Sequence, residues 1–227
     1  MTSRSTELSR HLSSFLVTVF LAACTAPPSP RSFASAAGSG NLQAGQATQD
    51  QIARGRFVVI SHDCGGCHGG GSNPAATRWL DGARDTINDV FHIGPFVTRP
   101  KNLTPDNTAG TGRMSERQIF NSLRYGLRPE ETPDVEITST VPGQGNFPLH
   151  PHYLAPPMPW PAWRQMPDQD LWAIAAYLKQ GVKPSKNKVK DSDGPPDFWA
   201  SEYTVEKIGP NPSPAYPTVN EKGGAER

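Results

Sequence analysis

Cys64-Gly65-Gly66-Cys67-His68 is the stretch on which the reading of this chain turns. Two thiols three positions apart, followed at once by an imidazole, match the C-x-x-C-H pattern of covalent haem attachment. The spacing has a mechanical basis: Cys64 and Cys67 reach the two vinyl groups of a porphyrin, and the His68 ring lies beneath the iron. Gly65 and Gly66 keep side chains out of the tight turn between the thiols. Zinc sites and redox dithiols also use C-x-x-C. A structural zinc site takes four protein ligands, whereas the chain has three cysteines and no second pair. A thioredoxin-like dithiol sits near a βαβ pattern, which this sequence lacks. The motif predicts one covalent haem c, held by Cys64, Cys67 and His68.

Outward from the motif, three segments carry helical periodicity. Asp50 is placed to cap a helix in which Ile52, Ala53, Phe57, Val58 and Ile60 recur at roughly helical spacing and which runs straight into Cys64. Ser115 is the predicted N-cap of a second helix ending at Tyr125. Gln118 completes a capping box, Ile119, Phe120 and Leu123 form one apolar face, and Gly126 is the stop. The third has Asp168 as N-cap and an apolar stripe of Leu171, Trp172, Ile174, Ala175 and Leu178 that stops before Gly181. No β-alternating run of useful length and no internal repeat is present. The predicted fold is all-α, with about three core helices around one haem. The 24 prolines and 21 glycines in 227 residues imply long irregular loops.

The chain starts with Arg4 and Arg10, then an apolar stretch over residues 12–23 that is too short to span a bilayer. It ends in Leu21-Ala22-Ala23-Cys24, which resembles the lipobox of bacterial lipoproteins; residues 1–23 are read as the signal peptide and Cys24 as the lipidated residue. This leaves no unpaired cysteine in an oxidising compartment. Thr25 points to the outer membrane in a Gram-negative source. Residues 24–49 are rich in Pro, Ser, Ala, Gly and Gln and are expected to be a flexible tether. Residues 50–208 are the predicted folded domain, onto which Phe198, Trp199 and Tyr203 fold back, and residues 209–227 a disordered tail. A formal charge of +1 without a lysine or arginine cluster offers nothing to neutralise phosphates, so no nucleic-acid partner is expected.

An electron carrier needs a sixth iron ligand that changes little between oxidation states. Met114, at the start of the middle helix, reads as a core residue. Met158 lies in Pro156-Pro157-Met158-Pro159-Trp160, a stiff loop suited to holding a thioether at one distance. Met166 precedes Pro167 and Asp168 and serves equally as a hydrophobic staple. Met158 is the first choice and Met166 the second. His150 and His152 keep a bis-histidine site open, although a polar surface loop accounts for them as well, and His62 and His92 carry no stronger claim. Trp79, Trp160 and Trp163 suit either the pocket or plain core packing. Arg78, Arg84, Arg99 and Arg124 are candidates for haem propionates, with solvated positions as the default.

With these residues in place the chain resembles the class I cytochromes c, and more closely the cytochrome c modules of periplasmic alcohol, aldehyde and gluconate dehydrogenases. The resemblance rests on Arg54-Gly55, on Asp63 with the haem motif, on Asn102-Leu103-Thr104-Pro105-Asp106 followed by Thr111-Gly112, and on Leu123-Arg124-Tyr125-Gly126. Met158-Pro159-Trp160 and the stretch from Asp168 to Lys179 complete it, over about residues 50–190. It implies a cytochrome c fold whose first and last helices cross near Gly55 and Tyr177, with Met158 as distal ligand. Those subunits commonly carry three modules, whereas this chain has one haem motif, and residues 129–157 make a longer loop than the pattern has.

The implied function is that of a periplasmic, lipid-anchored monohaem cytochrome. It passes single electrons between a dehydrogenase or respiratory complex and a downstream acceptor such as another cytochrome, and it has no catalytic residues of its own. Two other classes stay in view. One is a haem enzyme or gas-binding sensor with an open distal position; the other is a structural subunit of a membrane complex.

Overall fold

Thr48 opens the first helix, its hydroxyl accepting from the Gln51 amide at 3.1 Å. In the computed structural model, which describes residues 47–194 and 197–210, helix α1 spans Gln49–Ser61. The cap is thus Thr48 and not Asp50, which lies in the first turn, where a negative charge favours the helix dipole. Gly55, Val58 and Val59 face inward, while Ala53 is exposed and Phe57 is 59% exposed, so the apolar face is narrower than the sequence suggested. Nor does α1 run straight into the motif. It ends at His62, Asp63 turns the chain in the left-handed region at φ 50°, and Cys64–His68 forms its own single-turn helix, α2.

A short antiparallel hairpin follows, β1 (Phe91–Ile93) with β2 (Phe96–Thr98), extended on its open side by a bridge from Val97 to Asp193. It departs from an all-helical reading, and strands of three residues are too short to register as an alternating pattern. Apart from an isolated bridge between Leu127 and Tyr153, the described residues are otherwise helical and irregular.

Helix α3, Glu116–Tyr125, has the predicted boundaries. Ser115 Oγ accepts from the Gln118 amide, the Gln118 side chain accepts from the Ser115 amide, and Gly126 closes the helix at φ 68°. Helix α4 is one turn, Trp160–Trp163, and α5 spans Asp168–Ala176 before a π-helical turn, Tyr177–Gly181. The N-cap of α5 is Pro167. Asp168 does not cap because its carboxylate accepts from Arg124, whose guanidinium also donates to the carbonyls of Arg164 and, at 2.9 Å, Met166.

Helix α5 packs against both α1 and α3. At the α1–α5 crossing a Cβ on Gly55 would lie 1.9 Å from the Ala173 carbonyl oxygen and 2.8 Å from Tyr177 Cβ, so this approach admits only glycine. Arg54 seals the crossing with a two-pronged pair to Asp170, at 2.8 and 2.9 Å. The core between the helices comprises Val58, Val59, Ile119, Phe120, Leu123, Leu171, Ile174 and Leu178, with Trp79 and Leu80 from the loop after the motif. A satellite cluster of Leu127, Ile137 and Phe147 supports the long loop over residues 129–157.

Beyond the π-turn the chain returns over the body, ending in α6, Val205–Ile208. As expected, it packs aromatic rings inward: Trp199 is 3% exposed against Phe96, although Phe198 is half exposed. No helix among the described residues is long and apolar enough to cross a membrane. The signal-like residues 1–23, Cys24, most of the tether, and tail residues 211–227 lie outside the described residues.

Candidate functional site

The motif lies on the wall of a cavity of about 380 Å³ with an overwhelmingly apolar lining, a size within the roughly 300–1,000 Å³ of small-molecule and cofactor sites. Cys64, Cys67 and His68 line one side. α3 contributes Ile119 and Leu123, α5 contributes Ile174, and the π-turn contributes Leu178. The loop before α4 brings Leu154, Ala155, Pro157, Met158 and Pro159, and Trp163 and Met166 follow.

The α2 turn is built tightly. A Cβ at Gly65 would lie 2.2 Å from the Gly71 carbonyl and 2.4 Å from the Trp79 ring, and one at Gly66 would lie 2.3 Å from Asp63 Oδ2. Gly65 is therefore a steric requirement of the turn that carries both thiols, since it meets backbone, whereas at Gly66 the obstacle is the rotatable Asp63 carboxylate. Cys64 is partly buried and Cys67 exposed, and both are free thiols. Burial pushes the Cys64 thiol up to about 12, and it raises Cys67 in the same direction. Without a cofactor both therefore stay protonated at neutral pH.

His68 is oriented from behind. Its Nδ1–H donates to the Lys101 carbonyl at 2.6 Å. A carbonyl can only accept, so the hydrogen resides on Nδ1 and the Nε2 lone pair is free for a metal. Burial lowers the ring's pKa below the ordinary imidazole value, only partly opposed by that hydrogen bond, and this favours the neutral, ligating form. The Lys101 carbonyl is held in turn by its neighbour. Asn102, 2% exposed, donates to the carbonyls of Ser185 at 2.8 Å and Asn187 at 3.0 Å, and its Oδ1 accepts from the Thr104 amide and hydroxyl. Asp106 accepts from the amides of Thr108 and Ala109, which holds its carboxyl below the usual range. The Asn-Leu-Thr-Pro-Asp stretch is thus a brace for the imidazole, and its Leu103 side chain joins the cavity wall.

Three methionines reach the wall: Met114, Met158 and Met166. Met114 was expected as a core residue; it is buried as expected and also lines the cavity. Met114 and Met166 belong to the packed core, whereas Met158 is partly buried and packs against the core's edge. Of the histidines weighed above, His62 lines the cavity, its ring edge-on to Trp163 at 6.2 Å and its Nδ1 2.9 Å from the Val58 carbonyl. His92, His150 and His152 do not line it; His92 and His150 are exposed, and His152 pairs with Glu131 on the surface.

The tryptophans and arginines separate in the same way. Trp163 is on the wall. Trp79 is core, donating to the Tyr177 hydroxyl at 2.8 Å, and Trp160 is core, stacked on Tyr153. Only Arg99 among the four arginines lines the cavity. It is 6% exposed and is held by Asp85 at 2.5 Å, Asp193 at 3.1 Å and the Asp191 carbonyl at 2.9 Å. Arg124 is committed to the Arg164–Asp168 turn, and Arg78 and Arg84 flank the buried Asp81. The default reading as solvated side chains therefore fails for the buried Arg99 and Arg124, whereas Arg78 and Arg84 keep about two fifths of their side chains exposed. The Lys101 carbonyl was missed in the sequence, because a backbone acceptor has no side-chain signature.

No protein-family model matches the chain. Among curated proteins it is 27% identical over 138 residues to the fructose dehydrogenase cytochrome subunit of Gluconobacter japonicus, covering 61% of this chain and 23% of that protein. It is 25% identical over 165 residues to the cytochrome c subunit of the quinone alcohol dehydrogenase of Gluconacetobacter polyoxogenes, covering 73% and 29%. It is 29% identical over 151 residues to the gluconate 2-dehydrogenase cytochrome c subunit of Pantoea cypripedii, covering 66% and 27%. The chain thus spans about a quarter of the length of the curated relatives it matches. With the motif-level resemblance and these identities in agreement, the chain is a homologue of the cytochrome c subunits of fructose, alcohol and gluconate dehydrogenases.

Proposed function

We propose that this chain is a single-electron carrier built on a cytochrome c fold around one haem c. In this reading Cys64 and Cys67 would hold the haem through thioether bonds, and His68 and Met158 would bind its iron. The observation that carries it is the donor set lining one apolar cavity: two nearby thiols, an imidazole whose Nδ1–H is already spent on the Lys101 carbonyl, and a thioether from a proline-bound loop. That set fits an iron porphyrin, which needs two sulfur attachments, a nitrogen and a soft sulfur ligand, and an apolar slot for a flat ring.

When bound, haem c supplies a one-electron couple. The chain's residues set its conditions. His68 and Met158 favour the ferrous state more than two imidazoles would, giving a relatively high potential. Ile119, Leu123, Ile174 and Leu178 keep water from the ring and disfavour the extra charge of the oxidised state. Cys67 is exposed and on the wall, so the cavity reaches the surface at the attachment turn, where a partner docks through a small, short-lived interface.

The homology points to dehydrogenase complexes as the setting, with this chain as carrier between a dehydrogenase or respiratory complex and a further acceptor. Export followed by lipidation at Cys24 would hold it at the outside of a membrane, in the periplasm. The test is the holoprotein made in an export-competent host. Its mass must include one haem, and its ferric spectrum must show the charge-transfer band of methionine ligation, lost in Met158→Ala and kept in Met166→Ala. High-spin bands with rapid carbon monoxide binding would instead identify an open-site haem enzyme or sensor.

A further inference from the structure

The stretch carrying Met158 has two faces. Leu154, Met158 and Trp163 lie on the cavity wall. Tyr153 and Trp160 turn away and stack on each other, ring centroids 5.9 Å apart and nearly parallel. Tyr203, from the chain after α5, closes over both, edge-on at 4.9 Å to Trp160 and 5.5 Å to Tyr153, and its hydroxyl reaches the Leu154 carbonyl at 3.4 Å. The Trp160 amide donates to the Met158 carbonyl at 2.8 Å, so whatever fixes Trp160 fixes residue 158.

That returning segment is itself anchored at three points. Trp199 packs on Phe96 at 4.8 Å. Arg128 bridges the two stretches, donating to Asp197 at 2.8 Å and to the Tyr153 carbonyl at 3.2 Å. Arg164, directly after α4, donates to the Gly209 carbonyl at 3.0 Å. The Met158 loop is tied to the body at its start, where the Leu154 amide donates to the Gly126 carbonyl at 2.7 Å, but over 155–159 the backbone bonds are local, such as Met158 amide to Ala155 carbonyl at 2.9 Å, and Pro156, Pro157 and Pro159 cannot donate. Its position is decided by what packs behind it.

We propose that residues 197–209 form a clamp on the rear of the Met158 loop, with Trp199 and Tyr203 as positioning residues that keep the Met158 sulfur directed at the cavity. This rests on the reading of Met158 as iron ligand. The clamp lowers the population in which the loop swings out and the sulfur leaves the iron. An added ligand competes only with that population, so its apparent affinity rises in proportion to it.

The experiment is titration of the ferric holoprotein with imidazole, following the methionine charge-transfer band, for the full chain and its variants. Tyr203→Ala and Trp199→Ala are each expected to raise imidazole affinity about tenfold, because the first removes the ring packed on Tyr153 and Trp160 and the second removes the anchor on Phe96 that holds the segment carrying Tyr203. Tyr203→Phe keeps the ring and loses only a long hydrogen bond, so it stays within about twofold of wild type. Ile52→Ala, which loosens α1 without touching the clamp, is the control: urea stability falls but imidazole affinity does not change. Should the alanine variants fail to fold, Asp197→Asn is read instead, with a rise of about threefold expected from the weakened Arg128 bridge. A band-bearing wild type whose variants all bind imidazole as it does overturns the clamp alone. An Ile52→Ala protein that gains affinity as much as Tyr203→Ala also overturns it, since general loosening then suffices. A haem-loaded wild type without the band overturns the ligand assignment and the clamp together.

Discussion

Replacing Gly55 by alanine is expected to destabilise the domain, although helix propensity taken alone predicts the reverse. Gly55 is an interior residue of the 13-residue α1, where alanine is preferred to glycine by about 1 kcal/mol. Across the crossing, however, the new Cβ would stand 1.9 Å from the Ala173 carbonyl oxygen, against a floor of 3.0 Å for real contacts, so the helices must part by the difference, 1.1 Å. The obstacle is backbone, and no rotamer change relieves it. Overpacking of this kind costs about 3 kcal/mol at the upper end of its usual range. Subtracting the propensity gain leaves a net loss of about 2 kcal/mol. With a urea m-value of about 2 kcal/mol per molar, the unfolding midpoint falls by about 1 M. Equilibrium urea unfolding followed by circular dichroism measures it. A midpoint equal to or above that of wild type would refute the account of the α1–α5 crossing.

In haem-free protein, iodoacetamide is expected to modify Cys67 well before Cys64, whose buried thiol ionises only near 12, and haem-loaded protein is expected to take up label at neither; mass spectrometry of digests decides, and equal rates would contradict the burial argument. Asn102→Ala removes four hydrogen bonds at a buried position, takes the Asn102 donor from the Asn187 carbonyl and leaves that of Ser185 only the long contact from the Thr104 hydroxyl, so a loss of about 3 kcal/mol in urea unfolding is expected, and a loss below about 1 kcal/mol would show that the brace is dispensable. Stability of the haem-free domain should also depend on pH through His68. Its folded-state pKa is lowered, so the unfolded chain binds the proton more readily; the contribution is complete above about pH 6.5 and is lost as pH falls through the folded value. An identical pH profile in His68→Asn would remove His68 as the cause.

The chain's own order of residues settled several features of this protein. Cys64-Gly65-Gly66-Cys67-His68 is legible because the haem attachment proposed for it needs fixed residue types at fixed spacing. The α3 boundaries are legible because a capping box and a C-terminal glycine are local bonds, spanning three or four residues. The inward return of Trp199 was readable from large apolar rings in an otherwise polar stretch. Where long-range contacts compete with local ones, the tertiary structure decided. Asp168 is an ideal N-cap by sequence, yet Arg124, 44 residues earlier, takes its carboxylate. Phe57 fits an apolar stripe but is exposed, because the close α1–α5 approach selects Gly55 and Val59 as the buried face. The Lys101 carbonyl that fixes the His68 tautomer, and the aromatic stack behind Met158, join residues tens of positions apart through backbone atoms and ring packing. Neither interaction leaves a periodic or local trace, so only the folded chain brings them together.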